Sequence, residues 1–136
     1  MQKLLQQLFL LLVFIFGIII TISAKVDSLP IPELQVKEWI AKKWVITEIE
    51  ARKQKVKVSD FVPYLFIEFT EDGLLVYMGE AEKIVGKWKY NHKNAQIICI
   101  TNHEEEIIKI LSIKEEELII ETIIEQEKLK MILKPI

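Results

Sequence analysis

From Trp44 to Pro135 the sequence repeats one unit: a run of residues dense in Ile, Val, Leu, Phe, Tyr or Trp, then a few charged or small residues, then the next run. Phe69–Tyr90, FTEDGLLVYMGEAEKIVGKWKY, shows the pattern. Runs this short cannot satisfy their own backbone as long amphipathic helices do. They pair with neighbouring runs, and the tight connections make those pairs antiparallel. The spacing predicts eight strands at about 44–51, 62–70, 74–79, 84–90, 95–102, 106–113, 117–124 and 128–135. Glu71–Gly73 is a hairpin signal, because glycine accepts the positive φ of a tight turn. Asn91–Asn94 suits a turn because asparagine tolerates the left-handed region. Glutamate-rich clusters at Glu104–Glu106, Glu115–Glu117 and Glu125–Glu127 read as further connections, and Pro63 falls at a strand start, where a missing N–H is tolerated.

Eight sequential strands in one small domain can close on themselves and leave no exposed edge. The expected fold is therefore all-β: an eight-stranded antiparallel up-and-down barrel over residues 44–136. Such a barrel has room for packed side chains or for one small ligand. Several strands are apolar on both faces, as in ELII followed by ETII. The interior accounts for one set. The other is left to meet a helix, a membrane surface or a partner.

Before the strands lie a linker and short helix at residues 25–43. Pro30 and Pro32 interrupt any helix arriving from upstream, and Pro32 suits the first turn of a new one to about Ala41. Leu34, Val36, Trp39 and Ile40 give it an uneven apolar side, which suits a plug or cap. Residues 1–24 form a separate segment. Leu8–Ile20 is an apolar stretch behind Lys3, the pattern of an export signal, with Ala24 before the cut. The 21 residues from Leu4 to Ala24 carry no charge, and about 20 such residues span a bilayer. Cleaved signal and retained anchor both remain open, and either takes the domain out of the cytoplasm, to the periplasm or beyond. Membrane contact is expected only through residues 1–24, where these are kept.

Cys99 is the single cysteine, so the domain is stable without a disulfide, and its place among isoleucines in QIICI reads as a small buried hydrophobe. After Ala24 there are 17 Lys and Arg against 20 Asp and Glu, which argues against nucleic acid as a partner. His92 and His103 fall in turns with no second metal ligand at regular spacing, and the glutamate triplets lack the Asp-x-Asp spacing of a calcium loop. Neither a metal nor a cofactor is expected. There is no G-x-S-x-G, no phosphate-binding loop and no Cys–His pairing, and Ser59 and Ser112 have no evident partner base. Enzyme activity is not expected.

Three stretches together resemble the bacterial lipocalin-like domain family of exported proteins. AKKWVITEIE resembles its first strand, with Trp44 as the tryptophan and Lys42 where the usual glycine stands. YLFIEFTEDGLLVY resembles the aromatic strand and Asp-Gly turn, and VGKWKYNHKNAQIICI the G-x-W strand, polar turn and next strand. The ending from Ile107 to Pro135 fits the last three strands, so the resemblance covers about Ile40 to Pro135. It implies a small barrel outside the cytoplasm and, by analogy with lipocalins, a small apolar or amphipathic ligand. Many members carry a lipid-attachment cysteine near the N-terminus, which this chain lacks.

Strand parity places Leu65, Ile67, Phe69, Trp88, Tyr90 and Ile97 inside the barrel as ligand-contact candidates. Trp44 and Trp88 serve equally as packing that fixes the closure. Gly86 shares the face of Trp88 and Tyr90 and lets a neighbouring backbone pack close. The longest connection, Arg52–Asp60, brings Arg52, Lys53, Lys55 and Lys57 to the end of the barrel that also receives Glu80, Glu82, Glu104–Glu106, Glu125 and Glu127. It is a candidate lid held by ion pairs, or an ordinary exposed hairpin, with the helix closing the opposite end. Set against the ligand-binding reading is a filled barrel that acts as a structural or protein-interaction module at the cell envelope.

Overall fold

The structure, a computed structural model, describes residues 29–79 and 82–136. The expectations for residues 1–24 and for Glu80 fall outside these residues. Helix α1 (Glu33–Ile40) precedes nine strands: β1 (Lys43–Ala51), β2 (Gln54–Lys57), β3 (Phe66–Phe69), β4 (Leu74–Met78), β5 (Lys83–Asn91), β6 (Gln96–Thr101), β7 (Glu104–Lys114), β8 (Glu117–Ile124) and β9 (Glu127–Pro135). β2 and β3 both pair antiparallel with β1, from β3 onward each strand pairs antiparallel with the next in a meander, and β1 also pairs with β9. The sheet is thus a closed antiparallel barrel of eight strand positions, with one short helix.

Nine strands fill eight positions because the second position is divided. β2 pairs with the far half of β1, from Glu48↔Lys57 to Ala51↔Gln54. β3 pairs with its near half, from Lys43↔Glu68 to Val45↔Phe66. Residues 58–65 leave the ladder between them and include a 3-10 turn at Val58–Asp60. The strand expected at 62–70 therefore begins only at Phe66, and part of the expected Arg52–Asp60 loop is strand.

Alternation sets the interior. Leu118, Ile120, Thr122 and Ile124 of β8 point inward, as do Leu129, Met131 and Leu133 of β9. In β1 the inward set runs Trp44, Ile46, then Ile49 and Ala51, because a bulge between Ile46 and Glu48 inserts one residue against β9. Thr47 uses that irregularity to donate its hydroxyl to the Ile132 carbonyl at 3.0 Å. The barrel has two ends. The turns Arg52–Lys53, Asn102–His103 and Glu125–Gln126 share one, which is called the turn end; all six residues have positive φ, as a two-residue type I′ hairpin requires. The polar cluster Glu104–Glu106 thus belongs to β7, with the turn just before it.

The other end, the helix end, holds α1 and the Thr70–Gly73 turn. Val36 and Ile40 have no accessible surface and join the core, Trp39 is half-buried, and Leu34 points outward at 79% exposure. The Trp44 indole N–H donates to the Ile40 carbonyl at 3.0 Å, which ties the last turn of α1 to the first strand. That bond occupies an acceptor that has no partner within the helix. Among the described residues no helix is long and apolar enough to cross a membrane.

Candidate functional site

Most inward side chains are buried. Trp44, Leu65, Leu75, Ile97, Ile110 and Leu133 are all 0% exposed, and Ile67, Phe69, Tyr77, Ile120 and Met131 no more than 2%. Of the six interior candidates, Leu65, Ile67, Phe69, Trp88 and Ile97 belong to this packed core. Tyr90 lies at the helix end, half-buried, with its hydroxyl 2.8 Å from His92 Nδ1. Trp88 packs edge-on to Phe69 at 5.3 Å and donates its indole N–H to the Thr70 carbonyl at 2.9 Å, so it also fixes the Asp-Gly turn. Gly73 in that turn has φ +91°, a conformation that favours glycine.

The turn end is the polar part of the interior. Glu106 sits opposite Cys99 on the β6–β7 ladder, and its Oε1 accepts a hydrogen bond from the Thr122 hydroxyl at 3.0 Å. Burial raises the Glu106 carboxyl above the usual carboxylate value, against the pull of the Thr122 bond. Burial, with Glu106 nearby, raises the Cys99 thiol as well, so this cysteine is a packed hydrophobe and not a nucleophile. The Tyr77 hydroxyl is buried without a hydrogen-bond partner, and burial and then Glu106 push it far up. Sequence reasoning missed Tyr77 and Thr122 and placed Glu106 on the acidic rim of the barrel. The alternation Glu106, Ile108, Ile110 was the signal that places Glu106 inside.

This geometry has a pH consequence. The folded state holds the Glu106 proton more tightly than the unfolded chain does, so the stabilising share of this group is complete below the ordinary value of 4.5 and is lost as pH rises through the raised value. Glu106→Gln keeps the shape and removes the titration. Urea midpoints measured across that range should fall less in the variant than in the unaltered protein. Equal slopes would show that Glu106 does not titrate inside the fold.

At the same end, Arg52 and Lys53 make the β1–β2 turn and Lys55 and Lys57 lie on β2. Of these four, Arg52 reaches the acidic rim: its Nη2 lies 2.9 Å from Glu127 Oε1, with the Arg52 side chain 9% exposed. Lys55 lies 4.0 Å from Glu48 across the ladder, in an exposed pair of small energetic value. The connection read as a lid or an ordinary hairpin is in part a hairpin: β2 makes four ladder pairs with β1, and Arg52 makes a partly buried ion pair with Glu127.

At the helix end an open cleft of about 420 Å³ lies between α1 and the barrel, lined by Leu34, Lys37, Glu38, Asp72, Trp88 and Tyr90 among others. A second of about 400 Å³ adjoins it through Lys89 and Tyr90 and includes Glu33, His92, Lys93 and Ile98. Among the described residues no three His, Cys, Asp or Glu side chains are grouped to hold a metal ion.

The outer wall is unevenly apolar. Exposed aliphatic side chains gather on β4–β8: Leu74, Val85, Ile100, Ile107 and Ile123. The ladders connect them. Val76 sits beside Val85, Lys87 lies between Leu74 and Ile100, and Ile98 lies beside Ile107. Continuing the Lys109↔Glu121 register by two residues brings Ile107 beside Ile123. Comparison with protein-family models finds no match to this chain, and comparison with curated proteins finds none either.

Proposed function

We propose that the protein is an exported, non-catalytic interaction module, a filled barrel of lipocalin-like form that works through its outer surface at the cell envelope. The carrying observation is the contrast between the two faces of one sheet. Inward side chains such as Ile97 and Ile120 are 0–1% exposed, whereas outward aliphatics such as Val85 are 55% exposed. Monomeric proteins seldom leave connected apolar surface of this kind without use. Export rests on the apolar segment Leu8–Ile20, and the lipocalin-like form rests on the quoted sequence stretches and is compatible with the barrel.

A second reading keeps a small apolar or amphipathic ligand inside, against Leu65, Ile67, Phe69, Trp88, Tyr90 and Ile97. The unpartnered Tyr77 hydroxyl favours it, because a ligand's polar head would supply the missing bond. It requires the packed side chains to move apart.

Overpacking separates the two. In a filled barrel, Ile97→Phe and Ile120→Phe each add volume where none is free and should cost about 1–3 kcal/mol in urea unfolding. In a barrel that opens for a ligand, the larger side chains would be accommodated. Unchanged stability in both variants would overturn the filled reading.

A further inference from the structure

We infer that the β4–β7 outer face docks on an anionic lipid bilayer, which names the partner of the outer-surface reading proposed above and rests on it. The outward positions of β5 are Lys83, Val85, Lys87 and Lys89, and all four are exposed. Their ladder neighbours on β4 and β6 are aliphatic: Met78 and Lys83, Val76 and Val85, Leu74 and Lys87, Lys87 and Ile100, Lys89 and Ile98. Across β4–β7 the outward residues carry one acid, Glu105 opposite Ile100, against the three lysines of β5, although the chain as a whole carries a net charge of −2. Among the described residues none of these three lysines has an ion-pair partner. Lysines with flanking aliphatic side chains suit a headgroup layer, where the ammonium meets phosphate and the stem and its neighbours reach the acyl boundary.

Position supports the same occupant. The cleft containing Lys89 and Ile98 also contains Glu33, so the start of α1 stands beside this face, with the outward Leu34 next along. Leu29 is buried against the core, and Ala24 ends the 21-residue uncharged stretch. The five steps between them reach at most about 18 Å even when fully extended. A bilayer that takes residues 4–24 is therefore within reach of the side of the barrel where Lys87 and Lys89 lie. The stretch acts as the tether and the strand face as the contact.

The test uses the full chain in vesicles, with the thiol of Val85→Cys as reporter and that of Lys55→Cys, on β2 away from the face, as control. Cys99 is 1% exposed and stays silent in the folded protein. Three lysines at an anionic surface correspond to roughly a hundred-fold in partition, so docking should be nearly complete. Alkylation at position 85 should slow about ten-fold in phosphatidylcholine containing phosphatidylglycerol relative to phosphatidylcholine alone. The control should react alike in both, and Lys83→Gln/Lys87→Gln/Lys89→Gln or high salt should restore the fast rate. Equal rates at position 85 in the two lipids would overturn the proposal, as would equal slowing of the control. Slowing that follows protein density and not lipid composition would also overturn it, and would identify a second copy as the occupant. None of these failures touches the filled interior, which the overpacking variants read separately.

Discussion

Trp44→Ala is expected to cost about 3–5 kcal/mol, the range for removing a fully buried tryptophan. That is a large part of the roughly 5–15 kcal/mol by which a domain of this size is stable. Trp44 has no exposed surface, and its indole N–H donates to the Ile40 carbonyl at 3.0 Å. Lys42 adds a contact 5.3 Å from the ring centroid. The substitution leaves a void at the helix end and frees the last turn of α1. Trp44→Phe keeps most of the packing and loses the hydrogen bond, so it should cost about 0.5–1.5 kcal/mol beyond the change in packing. Hydrogen exchange at Val36 and Ile40 should quicken in both variants. Urea unfolding that ranks alanine no worse than phenylalanine would show that Trp44 is not the brace between helix and barrel.

Gly86→Ala is expected to be nearly as damaging, by the opposite mechanism. A Cβ at this position would stand 2.3 Å from the Ile100 carbonyl oxygen and 2.6 Å from Thr101 Cγ2. The Thr101 methyl can rotate away, but a backbone carbonyl within the β5–β6 ladder cannot. The two strands must separate, and Cys99 and Trp88 lie opposite each other just beyond the contact. Overpacking of this kind costs about 1–3 kcal/mol, and contact with backbone places Gly86→Ala at the upper end. Gly86→Val should leave little folded protein. A thermal midpoint for Gly86→Ala within a degree or two of the unaltered protein would mean that β6 can move outward freely there.

The barrel was legible because most of its strands announce themselves. LIIETII carries β-branched residues at nearly every position, and EDG marks its turn by the one residue suited to positive φ. β2 did not, for physical reasons. Gln54, Lys55 and Lys57 are weak strand formers, Val56 is a lone apolar residue, and the turn before it is Arg52–Lys53, where neither residue favours positive φ. Pairing with β1 overrides these local preferences, and no single-strand pattern reports it. Pro63, taken as a strand start, instead belongs to the detour at 58–65, because a residue without an N–H cannot extend the β3 ladder. The bulges at Ile46/Glu48 and Ile110/Ser112 shift parity in mid-strand, so inward positions beyond them do not follow by counting.

Candidate residues divided in the same way. Leu65, Ile67, Phe69, Trp88 and Ile97 lay within regular alternation, and the structure buries all five. Glu106 was counted with its charged neighbours on the rim, at the start of the strand expected at 106–113, although its parity with Ile108 places it inside. The outer face was visible only as strands apolar on both sides. That Val85, Ile100 and Ile107 lie on one connected surface depends on the register of three strands, which no single run encodes.

The pairing of β1 with β9 has a consequence in time. Thr47 and Ile132, joined across the seam, are 85 residues apart. At the usual pace of synthesis, about 5–20 residues per second, the ribosome needs roughly 4–17 s to travel from one to the other. Throughout that interval β1 can acquire β2 and β3 on one side, while its other edge presents bare N–H and C=O groups. The nascent chain therefore cannot complete its fold as it is made. Closure waits for the last strand, and until then the open edge is available to a chaperone, to a translocation channel or to another unfinished chain.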